Sequence, residues 1–170
     1  MSLEISMETR SSVQRRLTSL VRGEILGSLC VLSAFSIGFV LHRTAPHPVT
    51  LLAGIAFALV PLQGALYWKI RERAIHAGNP LERRLIHFFR IARTGNWIVL
   101  SAGWAYWVIT LVQTTDWLNL TYAFLLLMLG TLEQVNYYHV QLVRGDAYGG
   151  RLNRRFGRPS LAKAISRFGS

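Results

Sequence analysis

Residues 117–138 read WLNLTYAFLLLMLGTLEQVNYY, and this stretch decides the fold. No charged side chain appears before Glu133, and the apolar residues run on continuously instead of alternating with polar ones. A helix rising about 1.5 Å per residue crosses about 30 Å of hydrocarbon in roughly 20 residues, so the run is long enough to span a bilayer. A barrel strand would alternate apolar with polar positions. A soluble amphipathic helix would carry a polar stripe along its length.

Three further runs have the same character: residues 25–41, 49–68 and 97–112, none of which contains Lys or Arg. The fold class read from these four runs is an all-α integral membrane protein. It is a four-transmembrane-helix bundle with basic amphipathic cytoplasmic segments. The chain of 170 residues is 51% hydrophobic and carries a formal net charge of +11. The two properties are segregated, with basic blocks between apolar ones, as expected of a protein whose middle meets lipid and whose ends meet water.

Orientation follows from where the basic residues fall. Four precede the first run, one (Arg43) follows it, seven lie between the second and third runs, none lies between the third and fourth, and seven follow the fourth. Eighteen of the 19 Lys and Arg therefore share one side, which the positive-inside rule assigns to the cytoplasm. Both termini are then cytoplasmic, and the expected location is a bacterial inner (plasma) membrane. The first run is read as a retained span, because about 24 mostly polar residues precede it and a cleaved signal peptide has a short basic region there. The Arg- and Ser-rich start would also suit an organellar presequence, with Glu4 and Glu8 counting against it. The segments are thus a basic N-terminal stretch over 1–24, a membrane domain over 25–142, and a basic tail over 143–170.

Within the second basic block, Asn79-Pro80 suits a helix start. Leu81, Leu85, Phe88, Phe89 and Ala92 then recur at helical spacing, with Arg83, Arg84 and Arg90 largely on the other side. The pattern predicts a basic amphipathic helix over 80–93 lying in the headgroup region, with those three arginines contacting anionic headgroups. Membrane topology accounts for the basic residues without a nucleic-acid partner.

Glu133 is the sharpest functional candidate, since an ionisable group in a membrane helix is costly. It lies 16 residues beyond Trp117, or about 24 Å along the helix. Gln63, Ser28 and Ser101 fall at similar depth on the other three helices, so a polar layer is expected there, serving either as interhelical packing or as a constriction. Asn136, Tyr137, His139 and Gln141 follow as an interfacial polar and aromatic cluster. Ala34 and Gly38, Gly54 and Ala58, and Ser101 and Ala105 form small-residue pairs where helices can approach. Cys30 is read as a small buried hydrophobe.

No nucleophile elbow, zinc-protease motif or phosphate-binding loop occurs, and the histidines fall into no ligand spacing. No catalytic residue, metal or cofactor is assigned. The expected function is a small non-enzymatic membrane subunit that self-associates or docks onto a larger assembly, its basic face binding anionic lipid or an acidic partner. The alternatives are a homo-oligomeric channel or transporter using the Glu133 layer, and an enzyme acting on lipid headgroups at the cytoplasmic interface.

The topology makes a direct prediction. A cysteine placed between Thr44 and Pro48 is labelled by a membrane-impermeant reagent from outside, and a reporter fused after Ser170 is active only in the cytoplasm. Labelling of a cysteine at Arg154 from outside would overturn the four-span arrangement.

Overall fold

The computed structural model of the chain describes residues 2–77 and 83–138, with side chains at Arg15, from Thr18 to Ala77 and from Arg84 to Tyr138. Four helices account for nearly all of them: α1 (Ser2–His42), α2 (Pro48–Ala77), α3 (Arg83–Gln113) and α4 (Trp117–Tyr138). Each contains a segment long and apolar enough to cross a membrane. Residue choice agrees with length, since Leu and Ala, both good helix formers, are frequent within the helices.

The helix ends are set by local chemistry. α1 stops where Arg43 adopts a left-handed conformation (φ 51°). The Thr44 N–H donates to the Phe39 carbonyl at 3.1 Å and the Arg43 N–H to Val40 at 3.2 Å. That is the bonding of a Schellman cap, with arginine in the place glycine usually takes. His47 starts α2: its carbonyl accepts from Thr50 and Leu51, and its ring Nδ1 accepts from the Val49 N–H at 3.3 Å. Pro48 occupies the first helical position, where no N–H is needed. Asp116 caps α4 by accepting the Asn119 N–H at 3.2 Å.

α3 runs without a break from Arg83 to Gln113. The basic stretch read as an interfacial helix over 80–93 and the apolar run over 97–112 are therefore parts of one helix from Arg83 onward; nothing between them, neither Gly95 nor Asn96, costs enough to end it. Residues 78–82, which include Asn79-Pro80, lie outside the described residues, as does the tail over 143–170.

The chain divides into two compact units, with the boundary within α2 at Pro61. The first unit holds α1 and the later half of α2. Its α1 is apolar and exposed around much of its circumference, at Leu26, Leu29, Ile37, Val40 and Leu41. Cys30, expected to be buried, is exposed there for the same reason. A tie between α1 and α2 runs from the Thr18 hydroxyl to Glu72 Oε1 at 2.9 Å.

The second unit holds the early half of α2 together with α3 and α4. Val49, Ala53, Ala56, Phe57 and Val60 of α2, Ile86, Phe89 and Leu100 of α3, and Leu120, Ala123, Leu126 and Leu127 of α4 form its interior. They recur at three- and four-residue intervals, one face per helix. The outward faces are apolar too, at Leu51, Ile55 and Leu59, at Ile91, Ile98, Val108 and Ile109, and at Phe124, Met128 and Leu132.

Glycine permits the closest approach in this unit. A Cβ on Gly130 would stand 3.2 Å from the Phe57 Cα and 3.2 Å from Leu100 Cδ2. A Cβ on Gly103 would meet only the mobile end of Leu127, at 2.7 Å. Of the small-residue pairs read from the sequence, Ser101, Ala105 and Ala34 are exposed, so the approach is made two residues along from Ser101. Gly130→Ala is expected to cost about 1–3 kcal/mol, the usual penalty for overpacking against atoms that cannot yield. Gly103→Ala should cost less, because the leucine can rotate away. Thermal unfolding in detergent compares them, and equal losses would contradict the assigned backbone contact.

Candidate functional site

The buried polar groups of the second unit gather at two levels. At one end Asn119, 1% exposed, joins the starts of α2 and α4. Its side-chain oxygen accepts from the His47 N–H at 2.7 Å and from the Thr50 hydroxyl at 2.8 Å. Its Nδ2 donates to Asp116 Oδ2 at 2.7 Å. The Thr50 hydroxyl also reaches the Asn119 carbonyl at 3.1 Å. The side chain that Asp116 orients is thus the one that holds α2, and the cap and the interhelical tie form a single network.

At the other end Gln134, which has no exposed surface, links α4 to α3. Its Oε1 accepts from Asn96 Nδ2 at 3.0 Å, and its Nε2 donates to the Arg93 carbonyl at 3.0 Å. Between the two levels the deeper tryptophans serve the same seam. Trp104 donates to the Thr131 hydroxyl at 3.2 Å, which in turn donates to the Leu127 carbonyl at 2.8 Å. Trp107 donates to the Leu120 carbonyl at 2.8 Å. Their rings and that of Phe124 meet at centroid distances of 5.5–5.9 Å.

The residues singled out from the sequence are placed as follows. Glu133 is half-buried, and its side chain is hydrogen-bonded to Asn136 on the same helix. The Asn96–Gln134 pairing of antiparallel helices puts Glu133 level with Trp97 of α3. Ser101, on that helix, is exposed. Ser28 and Gln63 belong to the first unit. The Ser28 hydroxyl is buried and donates to the Glu24 carbonyl of its own helix at 2.7 Å, while Gln63 is half-buried. Tyr137 is buried and Asn136 half-buried. Arg84 is exposed and Arg90 half-buried. The Arg83 side chain, His139 and Gln141 lie outside the described residues. Among the described residues, no group of three His, Cys, Asp or Glu is arranged to hold a metal ion.

The side chains around which the second unit is bonded are three amides and a hydroxyl that the sequence reading passed over. Asn96, Asn119, Gln134 and Thr50 carry no charge, so a search for ionisable groups does not find them. Their signal was nonetheless present. Asn96 and Asn119 each sit within two residues of the tryptophan that opens an apolar run, and Gln134 is the only amide between Asn119 and Asn136.

Replacing Gln134 by Leu removes the acceptor of the Asn96 Nδ2–H and the donor to the Arg93 carbonyl in an apolar interior, which should cost about 1–3 kcal/mol. Adding Asn96→Leu removes the donor that lost its acceptor and should recover part of that loss. Glu133→Gln, whose partner lies on its own helix, should stay within about 0.5 kcal/mol of the parent. Unfolding titrations of the detergent-solubilised chain measure all three. A Glu133→Gln loss as large as that of Gln134→Leu would make Glu133 the structural centre instead. In comparisons with known proteins, no family model, no curated protein and no solved structure matches the chain.

Proposed function

We propose that the chain is a multi-pass protein of a bacterial inner membrane, with both termini cytoplasmic. It acts as a non-enzymatic subunit that self-associates or docks onto a larger membrane assembly, and its basic end attracts anionic lipid. The observation that carries this reading is the inversion of polarity in the second unit. Its surface is lined with Ile, Leu, Val, Met and Phe, and its interior holds Asn96, Asn119 and Gln134. In water the reverse arrangement is stable. In hydrocarbon, polar groups must be satisfied inside the protein, which favours the arrangement seen here.

The subunit role is supported by how those polar groups are spent. The amides of Asn96, Asn119 and Gln134 bond to neighbouring helices and caps, so their chemistry goes into holding the helices together. The apolar circumference of α1 is the surface on which a second copy or a larger assembly would pack. With no hydrophobic gain available between helices in lipid, such packing relies on close van der Waals fit.

Alkaline carbonate washing of membranes, followed by light scattering of the detergent-purified chain, tests both parts. The expected result is retention in the membrane and a protein mass above that of a single 19.2 kDa chain. Release by carbonate would end the membrane reading, and a monomer would end the subunit reading. A closed homo-oligomer whose ion flux into liposomes is abolished by Glu133→Gln would replace it with the channel reading.

A further inference from the structure

The first unit leaves its charges unevenly matched. Glu72 is buried but compensated: Lys69 Nζ lies 2.9 Å from Oε2, and Thr18 donates to Oε1 at 2.9 Å. Among the described residues neither Arg22 nor Arg71 has a carboxylate partner. Arg71 is nonetheless held. Its guanidinium carbon lies 5.9 Å from the centroid of the Trp68 ring, within cation–π range. The Trp68 indole N–H is buried with no acceptor among the described residues, whereas a buried indole N–H ordinarily finds one.

Register brings a second arginine to the same level. Thr18 and Glu72 are bonded across antiparallel helices. Four residues onward along α1 is Arg22, and four residues back along α2 is Trp68, so each moves about 6 Å in the same direction. Past the half-buried Glu24 of α1, both helices present apolar residues. Leu26 and Leu29 of α1 and Leu66 and Leu62 of α2 are all exposed. The surface therefore changes from guanidinium to hydrocarbon at one height on both helices, the polarity profile of a phospholipid.

We propose that Trp68, Arg71 and Arg22 form a binding site for the phosphate of a single anionic phospholipid. The site rests on the membrane reading above and adds a discrete position to the general attraction of the basic end. A guanidinium presents paired N–H donors that match two phosphate oxygens, and its cation–π contact with the indole helps hold it in place. Arg22 supplies the second charge. Glu72, already neutralised by Lys69, does not oppose the anion. The acyl chains continue along the exposed leucines, a feature that free phosphate would have no use for.

The test uses the full chain in nanodiscs of phosphatidylcholine with a minority of phosphatidylglycerol, and native mass spectrometry counts the lipid retained per protein. One retained phosphatidylglycerol per chain is expected. Arg71→Ala should lower its retention about tenfold, the factor carried by a lost charge-assisted hydrogen bond. Arg22→Ala should give a comparable loss and stands in if the first variant fails to insert. Arg73→Ala, exposed and two residues away, should lower retention less than about fivefold, the general attraction of one surface charge. Equal losses from Arg71→Ala and Arg73→Ala would overturn the proposal, as would displacement of the lipid by inorganic phosphate at millimolar concentration. Failure of the membrane reading shows separately, as a chain that leaves the membrane in carbonate.

Discussion

A glutamine with no exposed surface has to satisfy its side-chain carbonyl and its amide N–H groups from whatever surrounds it, and for Gln134 that means α3. One bond goes to the Asn96 side chain and the other to the Arg93 carbonyl. The second matters more for geometry. A backbone carbonyl cannot rotate away, so it fixes how far α4 may slide along α3 and which face α4 presents. Once that register is set, Thr131 lies within reach of Trp104, Leu120 within reach of Trp107, and Gly130 opposite Leu100 and Phe57. In an apolar medium, where apolar contact alone discriminates little between registers, directional bonds of this kind supply specificity that hydrophobic burial cannot.

The two units solve the same problem with different chemistry. The second uses neutral amides deep between helices, where a charge would carry a large desolvation cost. The first uses Glu72, bridged to Thr18 and Lys69, at the end where α1 and α2 become basic. A carboxylate is sustainable there because a lysine lies one turn away on the same helix and Lys69 keeps half of its side chain exposed. An ionic tie among basic residues and neutral amide ties elsewhere each follow the local cost of charge.

Helix number and approximate span were legible in the sequence because they depend on sums over about 20 residues, which tolerate local ambiguity. Helix ends were less so. Arg43 in a left-handed cap carries no sequence signal, since glycine or asparagine is the usual occupant. The continuity of α3 was hidden by its change of composition: the eye divides a basic stretch from an apolar one, but the backbone does not. For the candidate site, attention to charge led to Glu133 and missed its neighbour. Periodicity separates them. Gln134 falls on the same face as Gly130, Leu127 and Ala123, all buried, whereas Glu133 lies about 100° away toward the half-buried side.

The unbroken course of α3 has a mechanical corollary. A helix without proline or a bulge is stiff, so its basic and apolar portions share one axis. On the membrane reading, residues 83–96 form a lever about 21 Å long, rigidly joined to the portion in lipid. Spanning helices adjust to bilayer thickness by changing their tilt, which averages about 20°. A change of roughly half that, about 10°, sweeps the far end of the lever through about 4 Å along the membrane surface. Arg84 would then report the thickness of the surrounding bilayer as a change in position.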